Sequence, residues 1–205
     1  MKYARYLLVS IATLALSLPL AAQSAPAPQS AGPSAVSQDS YIPVMTAIKI
    51  KTPPANEDER IAHEVRHELL LEPYYGMWDW LAFRVKDGTV ELTGWTFALD
   101  LHSSAVKRTR QIKGVKAVVD HITDLPPSSM DERLRHQVAH AIFSWGGLAR
   151  YSWPAELDIH IIVNNGRVTL EGLVDNQADK DAAFMRASGV PGIFQVTNNL
   201  RVAGR

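Results

Sequence analysis

The chain has 205 residues, 46% hydrophobic and 20% charged, a balance that fits one or two small globular domains. Its 21 basic and 21 acidic side chains cancel, which speaks against a dedicated nucleic-acid binder, because such domains carry a basic surplus. Cysteine is absent, which excludes disulfides, thiolate metal sites, a cysteine nucleophile and a lipid-modified N-terminal cysteine.

The N-terminus reads as a signal peptide over residues 1–24. Lys2 and Arg5 precede an apolar run from Leu7 to Leu18, and Pro19 and the small residues Ala21, Ala22, Ser24 and Ala25 follow. Cleavage is expected after Ser24, with Ala22 as the alternative point. The run is short for an uncleaved membrane anchor. Residues 25–54 are read as a flexible leader, since Ala, Pro, Ser and Gln dominate to about Thr46 and bury little apolar surface. Within that leader Tyr41–Met45 and Ile48–Ile50 are more apolar and read as a short extended arm.

A first domain is expected over residues 55–125. Asn56 or Asp58 caps a helix whose Ile61, Val65 and Leu69 recur every four residues on one buried face. Pro73 ends it, and an aromatic loop follows with Tyr74, Tyr75, Trp78 and Trp80. Val85-Lys86-Asp87-Gly88-Thr89-Val90 is then a hairpin, because Asp-Gly supplies the two positive-φ positions of a type I′ turn. A strand from Thr89 is expected to stop at Gly94. A second helix spans Leu99 to Ile112, and Gly114 leads into a third strand ending at Ile122.

After a linker at 126–130 the plan is repeated over 131–203. Asp131, His136, Val138 and His140 follow Asp58, His63, Val65 and His67 by 73 residues. From the second hairpin, Val163-Asn164-Asn165-Gly166-Arg167-Val168, the spacing is 78, so the second copy carries five extra residues before it. The order helix, strand, strand, helix, strand gives an α+β class: two tandem α-β-β-α-β units, each a three-stranded mixed sheet packed by two helices.

This pattern resembles the BON (bacterial OsmY and nodulation) domain. The first copy carries it at Asp58, Val65, Val85, Gly88, Val90, Leu92, Gly94, Ala105, Gly114, Val115, Val118 and Ile122. The second carries it at Asp131, Val138, Val163, Gly166, Val168, Leu170, Gly172, Ala183, Gly192, Ile193, Val196 and Leu200. The resemblance implies a periplasmic, non-enzymatic envelope protein without cofactor, of the soluble subgroup because the lipidated cysteine is missing. It also implies contact with anionic phospholipid or the membrane surface, a role in envelope integrity or osmotic stress, and assistance to other envelope proteins. In the lipoprotein subgroup, lipid contact is attributed to the first helix of the second domain.

Gly88, Gly94, Gly114, Gly166, Gly172 and Gly192 are read as structural turn or strand-end positions. Candidate lipid or partner contacts are Phe143, Trp145, Arg150, Tyr151 and Trp153 in the second aromatic loop, where indole and phenol rings suit an interface. The alternative is that the aromatic rings close the small cores or pack between the copies. Lys107, Arg108 and Arg110 form a cationic supplement attractive to an anionic membrane. Two further readings are a chaperone or assembly factor binding other proteins, and a weak metal site at the paired histidines His63/His67 and His136/His140, set apart from any metalloprotease centre. His102 lies beside Ser103 and Ser104, but no nucleophile elbow is recognisable and no catalytic residue is assigned.

Overall fold

The computed structural model describes residues 41–44, 54–152 and 158–203. The expected signal peptide, most of the leader and Trp153 lie outside them. Helix α1 (Glu57–Leu70) opens at Asn56, whose side chain accepts the Glu59 N–H at 2.9 Å, while the Glu59 carboxylate takes the Ala55 N–H at 2.6 Å. This reciprocal capping satisfies donors that a helix start leaves without partners. Ile61, Val65 and Leu69 are fully buried, as their spacing requires.

Strands β2 (Trp80–Lys86) and β3 (Thr89–Thr96) form the first antiparallel hairpin. At its tip Asp87 (φ 53°) and Gly88 (φ 78°) both take positive φ, the geometry of a type I′ turn. Helix α2 (Leu101–Gln111) then crosses over, and β4 (Ala117–Asp124) returns parallel to β3. The second copy repeats the order with α3 (Ser129–Phe143), β5 (Ile159–Asn164), β6 (Arg167–Val174), α4 (Gln177–Ser188) and β7 (Gln195–Asn198). A final pair of residues, β8 (Arg201–Val202), continues alongside β6.

One contact joins helix to hairpin in both copies. The Asp58 carboxylate accepts the N–H groups of Asp87 and Gly88 at 2.7 and 2.8 Å. Asp131 does the same for Asn165 and Gly166, both at 2.8 Å. The type I′ turn leaves these two amides pointing away from the ladder, and the helix supplies the acceptor.

Several boundaries differ from the sequence expectation. β3 and β6 do not stop at Gly94 and Gly172 but continue to Thr96 and Val174. Each glycine kinks its strand at positive φ (137° and 126°), and a Cβ there would overlap the carbonyl of Trp80 or Asp158 on the partner strand. The helix α2 starts two residues late because Asp100 adopts left-handed backbone at φ 66°. Ser128 caps α3 through the Asp131 N–H at 3.2 Å, so the helix takes in the last residues of the expected linker. Part of the leader is ordered: β1 (Ile42–Pro43) adds a fourth strand to the first sheet, pairing antiparallel with β2. In the second sheet the third strand is split at Asn199 and Leu200 into β7 and β8.

Each copy has its own apolar core between helices and sheet, one around Phe83, Leu92 and Ala105, the other around Ile142, Leu170 and Ala183. The clamp carries a testable consequence. Asp131 is 2% exposed and Asp58 is half-buried, so Asp131→Ala strands two amides with less access to water. Urea unfolding should show a loss of about 2–4 kcal/mol for Asp131→Ala and about 1–2 kcal/mol for Asp58→Ala. Equal and negligible losses would show that the turn does not need its acceptor.

Candidate binding surface

The first aromatic loop is built into the seam between the two copies. Trp80 and Trp95, opposite one another on the helix-free face of the first sheet, bury Ile162 of β5 together with Leu125. The buried His160 ring sits 5.3 Å from Trp80 and 5.7 Å from Tyr75, and its Nδ1 is 3.2 Å from the Gly76 carbonyl. Trp78 meets His136 edge-on at 5.5 Å. The Met77 carbonyl accepts the Ile161 N–H at 2.8 Å and covers the outer edge of β5. These rings therefore take the packing alternative, and only Tyr74, 69% exposed, projects from the loop.

Charge is also buried in the seam. Asp79 accepts N–H groups from Phe97 (2.6 Å), Ala98 (3.1 Å) and Gly76 (3.1 Å), and burial pushes its pKa up against those bonds. Arg135, 1% exposed, donates to the Val163 carbonyl at 2.8 Å and lies 4.3 Å from the Phe97 ring centre. On the outer face of β6, Glu171 pairs across from His160 and accepts from Asn199 at 2.7 Å. Burial raises its pKa to about 7.

The second aromatic loop is only partly a surface. Tyr151 is 3% exposed, and its hydroxyl donates to Asp179 at 2.7 Å and accepts the Asp175 N–H at 2.9 Å. Arg150 is held by Asp179 and by Asp175, the latter at 3.0 Å. That pair is an internal tie between the 3₁₀ turn (Ala149–Ser152) and the start of α4: it buries Tyr151, against the sequence expectation, and leaves the ion-paired Arg150 side chain 46% exposed. Phe143 is half-buried against the second core. Among the described aromatic residues of this loop Trp145 keeps the expected exposure, 44%, with its ring folded over Gly147.

The cationic supplement divides in the same way. Arg108 is tied to Glu68 at 3.1 Å and to the buried Glu72 at 2.8 Å, whereas Lys107 and Arg110 are exposed.

What the sequence did not single out is a groove that occurs twice. Between α1 and α2 it encloses about 420 Å³ and is lined by Arg60, Glu64, Glu68, Arg108 and Lys113 among others, with Arg108 ion-paired inside it. Between α3 and α4 the matching groove encloses about 930 Å³. Here Gln137 replaces Glu64, Ala141 replaces Glu68, Gly189 replaces Gln111 and Pro191 replaces Lys113 at the repeat spacings. Arg186 stands where Arg108 stands, but its Nε donates to the Ala141 carbonyl at 2.8 Å and it has no carboxylate partner among the described residues. Met185, 65% exposed, and the histidines His136 and His140 complete the walls. Comparing the copies position by position would have found this exchange in the sequence.

The sequence model of the BON domain matches residues 57–123 and 146–204, more than half of the chain. The chain belongs to the BON domain family. The second match leaves out α3, yet α3 repeats the α1 clamp through Asp131, so both BON units are complete in the fold. No curated protein matches. Among solved structures the chain is similar to the C-terminal domain of CdsD, a structural protein of the type III secretion system of Chlamydia trachomatis. That likeness has 12% identity, a TM-score of 0.29, and covers 72% of this chain and 99% of that one. A second CdsD structure gives 14% identity, a TM-score of 0.28, and 71% and 94% coverage.

The histidine pairs need one correction. His63-Glu64-Val65-Arg66-His67 has the H-E-x-x-H spacing of a metalloprotease helix, so sequence alone does not set the first pair apart from such a centre. Such a centre needs a third ligand, and no group of three or more His, Cys, Asp or Glu among the described residues is placed to hold a metal. The second BON unit has Gln137 at the glutamate position. Near α2, His102 is clamped at both nitrogens, by Asp124 at 3.0 Å and Asp120 at 2.8 Å. Ser104 donates to Glu72 at 2.7 Å and Ser103 to the Asp100 carbonyl at 3.1 Å, so neither serine meets the imidazole.

The seam predicts a pH dependence. Glu171 is raised in the folded state from 4.5 to about 7, so the folded form holds the proton more tightly than the unfolded one. Its stabilising contribution is full below about pH 4.5 and is lost as pH rises through about 7. Between pH 5 and pH 8 the wild type should lose on the order of 2 kcal/mol relative to Glu171→Gln in urea unfolding. Parallel pH profiles for the two proteins would contradict this.

Proposed function

We propose that this BON protein is exported, acts in the cell envelope, and binds anionic phospholipid through the α3–α4 groove of its second unit. The observation that carries the reading is the exchange between the two grooves. In the first, Glu68 and Glu72 neutralise Arg108; in the second, Arg186 keeps the cation while the matching acid has become Ala141. A cation without a carboxylate partner among the described residues, beside apolar wall in a groove of about 930 Å³, suits a ligand with an anionic head and a hydrocarbon tail.

Trp145, exposed just past the end of α3, supports the reading, since amphipathic rings favour membrane interfaces. Among the described residues no helix is long and apolar enough to cross a membrane. The N-terminal pattern of Lys2, Arg5 and the Leu7–Leu18 run supports export, and likeness to the soluble periplasmic BON proteins supports the periplasm as the compartment. Assistance to envelope integrity or to osmotic stress tolerance would follow from holding such lipids.

The test is cosedimentation with phosphatidylglycerol-containing vesicles and with pure phosphatidylcholine vesicles at low and moderate salt. Binding should require the anionic lipid and weaken with salt. Arg186→Glu should reduce it about tenfold or more, since each charge near the lipid is worth about 1 kcal/mol. Trp145→Ala should reduce it less, and Arg150→Ala should lower stability while leaving the folded protein's lipid affinity intact. Equal binding to both vesicle types, or indifference to Arg186→Glu, would contradict the proposal.

A further inference from the structure

A sheet edge left open is a template for another strand, and proteins usually blunt such edges. Among the described residues three of the four sheet edges are blunted. The first sheet ends on one side in β1, only two residues long and including Pro43, which has no N–H to offer. The second sheet's β5 edge is taken by the Met77 carbonyl, and its far edge is broken into the four residues of β7 and the two of β8. The exception is β4. It runs for eight residues, Ala117–Asp124, without proline or lysine, and pairs on one side only among the described residues. Its one concession is the Asp120 carboxylate, which accepts the Ile122 N–H at 3.0 Å.

A groove runs beside this edge, between β4 and α2, enclosing about 680 Å³. Asp120 and Asp124 of β4 line it, facing Val106, Phe97 and Leu99, the last 88% exposed. A strand added to β4 would hydrogen-bond through its backbone and set every second side chain into this groove, the arrangement by which sheet edges capture peptides. The charges define what it takes. Asp120 and Asp124 are both engaged by His102, and Asp100 sits at one end of the groove. Lys107 and Arg110 line it without a carboxylate partner among the described residues.

We propose that β4 is a docking strand for an extended polypeptide segment whose groove-facing side chains, every second residue, are apolar and acidic in turn. On the groove-facing side the apolar side chains pack against Leu99 and Val106 and the acidic ones meet Lys107 and Arg110, while the intervening residues face away. This activity is separate from the α3–α4 groove and does not rest on lipid binding.

The experiment uses the chain with its β1 arm in place and a fluorescein-labelled nonapeptide with threonine at the even positions and valine, glutamate, leucine, glutamate and valine at the odd ones, read by fluorescence polarisation. A second peptide carries lysine in place of glutamate. Two further isomers carry N-methyl groups on alternate residues, one set for each edge of the peptide strand. The glutamate peptide should bind at least tenfold more tightly than the lysine peptide, and Lys107→Glu/Arg110→Glu should reverse that order. Both substitutions lie at exposed positions, and circular dichroism checks that the fold persists. One N-methyl isomer should lose binding while the other keeps it, and amides from Ala117 to His121 should exchange more slowly in the complex. No saturable binding, equal binding of the two isomers, or protection of β4 by self-association in sedimentation without peptide would each overturn the proposal.

Discussion

Both units depend on a carboxylate in the first turn of a helix that closes over the tip of a hairpin. A type I′ turn matches the twist of its strands but leaves two amides unused at its apex. Asp58 and Asp131 take those amides in bidentate fashion, so the position of the helix along the sheet is fixed by a charged hydrogen-bond pair rather than by packing alone. The turn's next carbonyl then receives the strand that returns: Gly88 accepts from Lys116 and Gly166 from Phe194, at 2.8 and 2.9 Å. Helix, hairpin and third strand are thus tied at one corner. What lies far from that corner was free to diverge.

Divergence is where the function is to be found. In the first unit the cleft between its helices is closed by an ion-pair set centred on Arg108. In the second the same cleft has lost its acids and doubled in volume. Removing the carboxylate partners of a guanidinium leaves a cation that gains from an anionic ligand, and the small residues Ala141 and Gly189 make room for it. The units also differ in their loops. The aromatic loop of the first is used to glue the pair together around His160 and Ile162, while the second closes on itself through Arg150, Tyr151 and Asp179. In the proposed reading one copy serves as scaffold and the other carries the ligand groove.

Much of the fold was legible because its signals are local. Asn-Gly and Asp-Gly mark the turns, the four-residue recurrence of Ile61, Val65 and Leu69 marks the buried face, and the constant repeat spacing makes each reading a check on the other. The strand ends were missed because Gly94 and Gly172 look like stops. Only the nearness of the opposite carbonyl shows that they are kinks within a strand. Arg150 and Tyr151 looked like interface residues because sequence shows residue type but not partner. Asp175 and Asp179 lie more than twenty residues away and become visible as partners only when α4 is folded back. The paired grooves were readable in principle, since each exchange sits at a fixed repeat offset.

The central claim is that the α3–α4 groove, and not its α1–α2 counterpart, receives an anionic amphiphile. The most direct measurement is a ¹H–¹⁵N NMR titration with dihexanoyl-phosphatidylglycerol, a short-chain lipid that stays monomeric at working concentrations. The account predicts saturable shifts at Ala141, Met185, Arg186 and Gly189, with Glu64, Glu68 and Arg108 unmoved. Shifts centred on the α1–α2 cleft, or shifts that appear equally with dihexanoyl-phosphatidylcholine, would contradict it.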